Sequence, residues 1–288
     1  MFHGSIVALV TPFRCDQKID EKALRYLVQW HIEKKTDAIV CCGTTGEAST
    51  LSEEEKLNIF DICIQEANGK IPIIAASGSN DTKKSVLLTQ KAKEMGVSGC
   101  LAIVPYYNRP TQLGCLSHFR CIAEIGLPVI VYHHPKRTGT KLLPETFAQL
   151  EKIENIVAIK EASSDLSFIE KVQKKCSLPI LSGDDILTYS LIEMGAVGVI
   201  SVVANILPEK WKEFIVLCCK GERKQAFNLH KKFLDINESL SLETNPQGVK
   251  FALSLMKKCQ LFLRLPLLEP TPFAREKIQQ SLARLNLI

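Results

Sequence analysis

No two cysteines in this chain are spaced CxxC, no histidines are spaced HxH or HExxH, and no GxGxxG follows any apolar run. The first absence removes zinc-ribbon and thioredoxin-type readings, and the second leaves a metal-dependent hydrolase or aldolase without its ligand pattern. The third removes the signature of an open, dinucleotide-binding doubly wound sheet. His133 and His134 are adjacent, so on an extended strand they face opposite ways and cannot share one ion. The expectation is therefore no metal. The longest apolar stretch, Ala196 to Leu207, is broken by Gly198, Ser201 and Asn205 and is too short for a membrane helix of ~20 residues. The basic excess is slight, 36 Lys and Arg against 31 Asp and Glu, and is scattered as single residues and pairs. No nucleic-acid strip and no membrane partner are expected from it.

Disorder and low complexity are also missing: 46% of the 288 residues are hydrophobic and 23% charged, with only 15 Gly and 13 Pro. Eleven cysteines would form a disulfide framework in a short secreted chain. Here they lie mostly inside apolar runs, as in Ile39-Val40-Cys41-Cys42, where they read as small buried hydrophobes. The start, Met1-Phe2-His3-Gly4-Ser5, shows no basic segment followed by an apolar one, so a reducing, cytoplasmic setting is expected.

Apolar runs rich in β-branched residues begin near Ser5, Ala38, Ile71, Cys100, Pro128, Ile156, Pro179 and Gly198, at intervals that shorten from 33 residues to 19. Each interval holds one strand, one helix and two short loops. The helical runs carry end signals. Asp20 precedes Leu24, Leu27, Val28 and Ile32; Ser52 and Glu55 form a capping box; Asp184 or Asp185 is placed to cap the run up to Met194. Gly69, Gly96, Gly126 and Gly195 fall where a left-handed residue ends a helix. Strands that alternate with helices run parallel and are covered on both faces, which accounts for their continuous apolar character. Eight such units predict a closed (β/α)8 TIM barrel over residues 1–220. Beyond Pro208 only helical patterns occur, at 209–219, 222–240, 246–259 and 272–285. Residues 221–288 are read as a helical extension docked on the barrel, since Gly and Pro are not enriched at the join.

A (β/α)8 barrel carries its chemistry at the C-terminal ends of its strands. Gly43-Thr44-Thr45-Gly46-Glu47 follows the second run, Tyr106 and Tyr107 the fourth, Tyr132 and Arg137 the fifth, Lys160-Glu161 the sixth and Ser182-Gly183-Asp184-Asp185 the seventh; the eighth contains Ile200 and Ser201. Lys160 directly follows Ile156-Val157-Ala158-Ile159, so its amine is expected in an apolar setting that lowers its pKa, as attack on a carbonyl requires. Position alone leaves it open whether Lys160 is such a nucleophile or a lysine snorkelling from a strand end. Tyr132, Thr44, Thr45 and Tyr107 offer hydroxyls for a proton chain, the Gly-Thr-Thr-Gly loop offers a cradle for a carboxylate, and Arg137 offers a planar fork for a second one.

These residues in this order resemble the dihydrodipicolinate synthase (4-hydroxy-tetrahydrodipicolinate synthase) family of pyruvate-dependent aldolases and lyases. The likeness runs from Gly4-Ser5-Ile6-Val7 to Leu263-Arg264-Leu265-Pro266-Leu267. It includes Gly43 to Glu47, Pro105-Tyr106-Tyr107-Asn108-Arg109-Pro110, Tyr132 with Pro135 and Arg137-Thr138-Gly139, Ile159 to Ser163, Ser182 to Asp185 and Gly198-Val199-Ile200-Ser201. The resemblance implies that Lys160 forms a Schiff base with pyruvate, whose enamine adds to aspartate-4-semialdehyde before ring closure at the branch step to diaminopimelate and lysine. It gives Tyr132 as proton donor and acceptor, relayed through Thr44 to Tyr107 of a neighbouring subunit. Thr45 and the backbone near Ile200 hold the pyruvate carboxylate, and Arg137 holds that of the semialdehyde, with Gly183 also at the substrate. It implies no cofactor and a homotetramer built as a dimer of dimers.

The resemblance has two departures. His133-His134 stands where family members usually carry Asn and a small apolar residue. At the positions that bind inhibitory lysine in some members, Asn80 and Tyr106 match, but Glu53 and Lys84 replace a His and a Glu, which predicts weak or absent lysine feedback. A second reading within the class is a lyase acting on N-acetylneuraminate or a keto-deoxy sugar acid. Arg137 argues against it, because a sugar acceptor needs hydroxyl partners.

Overall fold

A computed structural model describes residues 2–288. Eight parallel strands close into one barrel in chain order: β1 (Gly4–Ala8), β2 (Ala38–Cys41), β3 (Ile73–Ala76), β4 (Gly99–Ile103), β5 (Val129–His133), β6 (Ile156–Glu161), β7 (Ile180–Ser182) and β8 (Gly198–Ser201). The ring closes where β1 lies against β8, with Gly4 opposite Gly198. A Cβ on Gly198 would stand 2.2 Å from the Gly4 carbonyl oxygen, so only glycine permits the seam.

The pleat divides each strand between two cores. Ile6, Ala8, Val40, Ile74, Leu101, Ile130, Ala158, Leu181 and Ile200 fill the barrel interior. Val7, Ile39, Cys41, Ala75, Val131, Ile159 and Val199 face outward beneath the helices. Both faces being buried explains why the runs read as continuously apolar. The third run differs slightly from its expected start: Ile71 is buried, but pairing begins only at Ile73.

The helices of the ring are α1 (Glu21–Glu33), α2 (Glu53–Ala67), α3 (Thr82–Met95), α4 (Gln112–Ala123), α5 (Pro135–Thr138), α6 (Pro144–Leu150), α7 (Leu166–Gln173), α8 (Thr188–Glu193) and α9 (Pro208–Cys219). Asp20 caps α1 by accepting from the Ala23 N–H, and Ser52 with Glu55 forms the complete capping box of α2. Gly69, Gly96, Gly126 and Gly195 all have positive φ. The expected acidic cap on α8 is absent: Leu187 precedes that helix without a side-chain bond. Asp184 instead accepts from the Ile186 N–H and closes the preceding turn, while Asp185 turns inward to accept from Val202 and Val203.

Three further helices follow the barrel: α10 (Arg223–Leu240) packs on α8 and α9, α11 (Gln247–Leu255) packs on α10 and on the segment after β8, and α12 (Pro272–Arg284) packs on α10 and α11. The helix expected over 246–259 stops at Leu255, where Met256 and the left-handed Lys257 end it. Trp211 and Phe214 of α9 meet Phe233 of α10 with ring centres 5.7 and 6.0 Å apart, an aromatic seam that holds α10 to the ring. All eleven cysteines are free. Seven are buried, whereas Cys15, Cys121 and Cys219 are exposed.

Candidate active site

β5 and β6 pair with Tyr132 opposite Lys160, and both side chains turn toward the barrel axis because Ile130 and Ala158, two residues earlier, do the same. The Lys160 Nζ lies 4.3 Å from the centre of the Tyr132 ring. Lys160 is 7% exposed. Burial pushes its ammonium down to about 8, opposed by the Asp185 carboxylate and reinforced by the Arg137 guanidinium. Burial also raises the Tyr132 phenol to about 12, partly countered by Arg137 and by the nearby Thr44 side chain. A partly deprotonated amine thus lies beside a neutral phenol, with the Thr44 hydroxyl lining the same cavities. This arrangement suits attack on a carbonyl followed by proton transfers that leave no buried charge.

The loop after β2 forms the facing wall. Thr45 is buried, and its Oγ1 accepts from the Asn245 Nδ2 at 3.0 Å. Glu47 has positive φ and a buried carboxylate that meets the Lys250 ammonium at 2.6 Å, while its other oxygen accepts from the Arg264 N–H. Lys250 also donates to the Thr11 carbonyl and lies over the Phe13 ring. Segments some two hundred residues apart in sequence therefore hold one loop.

Gly183, after β7, is the other close approach. A Cβ there would lie 2.8 Å from the Ala162 Cβ and 3.1 Å from the Lys160 Cε, so a larger residue would press on the lysine stem. His133 and His134 point to opposite sides of β5. His133 lies between Phe147 and Phe168 outside the barrel. Its Nε2 accepts from the Leu142 N–H, so Nδ1 carries the proton and donates to the Glu161 carboxylate at 2.8 Å. This pair joins the ends of the strands that bear Tyr132 and Lys160, and holds the far end of the segment that carries Arg137. His134 lies edge-on to Tyr132, and its buried Nδ1 has no partner among the described residues.

Two adjoining cavities of about 300 and 620 Å³ meet at Thr44, Thr45, Tyr132, Arg137, Lys160 and Asn245. Gly183 lines the larger one and Tyr106 the smaller one. Two residues singled out in the sequence are not brought in. Tyr107 lines neither cavity and is 91% exposed, with φ of +71°. The Ile200 side chain is sealed inside the barrel and lines neither cavity; it is the Ile200 backbone that the resemblance places at the substrate. Conversely, Asn245, Asp185 and Lys250 belong to the site or its support, roles that sequence reasoning did not assign to them. Lys250 had a detectable signal, a cation inside the apolar run Val249 to Leu253. Asn245 precedes a proline and reads only as a turn.

The Dihydrodipicolinate synthetase family model matches residues 1–285. A Trichlorobacter lovleyi protein named 4-hydroxy-tetrahydrodipicolinate synthase is 46% identical over 291 residues, covering 100% of both chains. The dihydrodipicolinate synthase structure from Aquifex aeolicus superposes with a TM-score of 0.97 at 41% identity, covering 99% of each chain. That of the Acinetobacter baumannii enzyme, complexed with pyruvate, gives 0.96 at 41% identity over 100% of each. With its barrel, its paired Tyr132 and Lys160 and its full-length match in sequence, the chain belongs to the dihydrodipicolinate synthetase family.

Proposed function

We propose that this chain is a lyase that condenses pyruvate with L-aspartate-4-semialdehyde to give 4-hydroxy-tetrahydrodipicolinate, the branch step of diaminopimelate and lysine biosynthesis. The observation that carries the reading is Lys160, buried, with its ammonium pushed down to about 8, against the Tyr132 ring. Its free amine adds to the keto carbon of pyruvate, and loss of water gives the imine. Loss of a methyl proton then makes the enamine carbon that bonds to the aldehyde carbon of the acceptor. Tyr132 and Thr44 deliver a proton to the aldehyde oxygen as that bond forms. The acceptor's own amine finally adds to the imine carbon, closes the ring and expels Lys160.

In this reading Thr45, with the backbone near Ile200, holds the pyruvate carboxylate. Arg137, exposed at the cavity mouth, forks onto the acceptor carboxylate, and Gly183 leaves room for both. The exposed Tyr107 completes the proton relay from a second copy within a homotetramer. No cofactor takes part. Borohydride reduction with pyruvate followed by peptide mapping tests the chemistry: label is expected on Lys160, and label elsewhere or nowhere refutes it. Turnover with aspartate-4-semialdehyde, set against N-acetylneuraminate cleavage, tests the acceptor. A dimer or tetramer in solution that loses activity in Tyr107→Phe tests the relay.

A further inference from the structure

The Thr45 hydroxyl is buried in the wall shared by the two cavities, and its single hydrogen bond among the described residues is the one it accepts from the Asn245 Nδ2. A hydroxyl has one proton to give, and with a lone pair occupied by an amide N–H that proton is free for another acceptor. A carboxylate is an acceptor only, so a hydroxyl polarised in this way suits one. Asn245 retains this geometry at a cost, because its own Oδ1 is buried with no partner among the described residues.

The segments carrying Asn245 and Thr45 are tied to each other just beyond the contact. Five residues beyond Asn245, Lys250 is wholly buried and bonded to Glu47 and to the Thr11 carbonyl. Glu47 lies two residues beyond Thr45. The amide and the hydroxyl are thus carried on two segments tied to each other by a buried ion pair, and the direction of the bond between them is not left to a mobile loop.

We infer that Asn245 is a positioning residue of the keto-acid site: by donating to Thr45 it aims the Thr45 proton at the carboxylate of the keto acid bound at Lys160. The inference rests on the functional reading above. Asn245→Asp keeps the shape but offers only acceptors, so the Thr45 proton turns to the new carboxylate and lone pairs face the ligand.

The measurement is pyruvate half-saturation in borohydride trapping, together with kcat and KM in turnover, for four proteins besides the parent. Asn245→Asp is expected to raise the pyruvate requirement ~30-fold or more while kcat at saturation changes less than ~3-fold, the signature of lost ground-state binding. Asn245→Ala and Thr45→Val each raise it by ~10-fold, and the double variant is no worse than Thr45→Val alone, because the amide acts only through the hydroxyl. This cycle introduces no new charge and tests the same point if Asn245→Asp does not fold. An unchanged pyruvate requirement in Asn245→Asp, or a full Asn245→Ala penalty persisting in the Thr45→Val background, overturns the inference alone. No pyruvate label on Lys160 in the parent overturns the functional reading and this inference with it.

Discussion

The reactivity of Lys160 follows from its burial, and pH is the perturbation that tests this. An ammonium pushed from 10.5 down to about 8 has lost about 3 kcal/mol of preference for its charged form. At pH 7 roughly one Lys160 in eleven is then the free amine, against roughly one in three thousand for an unperturbed lysine, a gain of about 300-fold. Only the free amine attacks the keto carbon, so the rate of imine formation with pyruvate should rise with pH and level off above a midpoint near 8. Two substitutions then separate the charges acting on it. Arg137→Met removes a cation that disfavours the ammonium, and the midpoint should move up. Asp185→Asn removes an anion that favours it, and the midpoint should move down. The assay is rapid mixing with pyruvate and cyanoborohydride at a series of pH values, reading the midpoint; the semialdehyde whose carboxylate Arg137 would hold is left out, so acceptor binding does not enter. A parent midpoint at 10 or above, or both variants moving the same way, would refute the reasoning.

Lys250→Met leaves the Glu47 carboxylate buried without its cation. It should cost about 3–5 kcal/mol in denaturant unfolding, with part recovered by adding Glu47→Gln; a loss below about 1 kcal/mol would contradict the ion pair's role. Burial holds His31 at about 3 and His118 at about 4 in the folded chain. Both lie below the ordinary 6.5, so the unfolded state binds more protons in that window. Stability should be full above about pH 6.5 and fall by roughly 1.4 kcal/mol per pH unit from each histidine as pH drops. Thermal melts that stay flat between these limits would refute it. His133→Phe leaves the Glu161 Oε2 and the Leu142 N–H without the imidazole, while Glu161 Oε1 keeps the Ser163 N–H. A loss of about 1.5–3 kcal/mol is expected, with a raised KM for the semialdehyde, since Arg137 lies on the segment that His133 secures; unchanged KM would separate the two. Lysine should inhibit only above a constant on the order of 1 mM, because Lys84 is exposed in the first turn of α3 and Glu53 is already paired with Lys91 at 2.6 Å. Tighter inhibition in steady-state assays would overturn that expectation.

The barrel was legible because parallel strands covered on both faces leave a strong local mark, an apolar β-branched run at every repeat. The capping box at Ser52 was legible for the same reason, since both partners lie within one turn. Asp184 and Asp185 show where such reading fails. An acidic residue just before a helical run resembles a cap, yet Asp185 finds better donors in the Val202 and Val203 N–H groups, which no local pattern indicates. His133 and His134 fall between these cases. Strand alternation predicted that they diverge, but not that one would tie β5 to β6 and the other would line the larger cavity.

The order of residues along the chain was enough for the number and kind of units, the strand ends where polar residues gather, and a lysine set directly against an apolar run. These are properties of chain neighbours, governed by the periods of strand and helix. How far the Lys160 amine is dehydrated, and which charges act on it, emerged only once the barrel had closed. So did the support of the Thr44–Thr45 wall by Asn245, Lys250 and Arg264 from the far end of the chain. Desolvation and long-range hydrogen bonds depend on what closure of the barrel brings within a few ångströms, and the packing of the later helices adds to that.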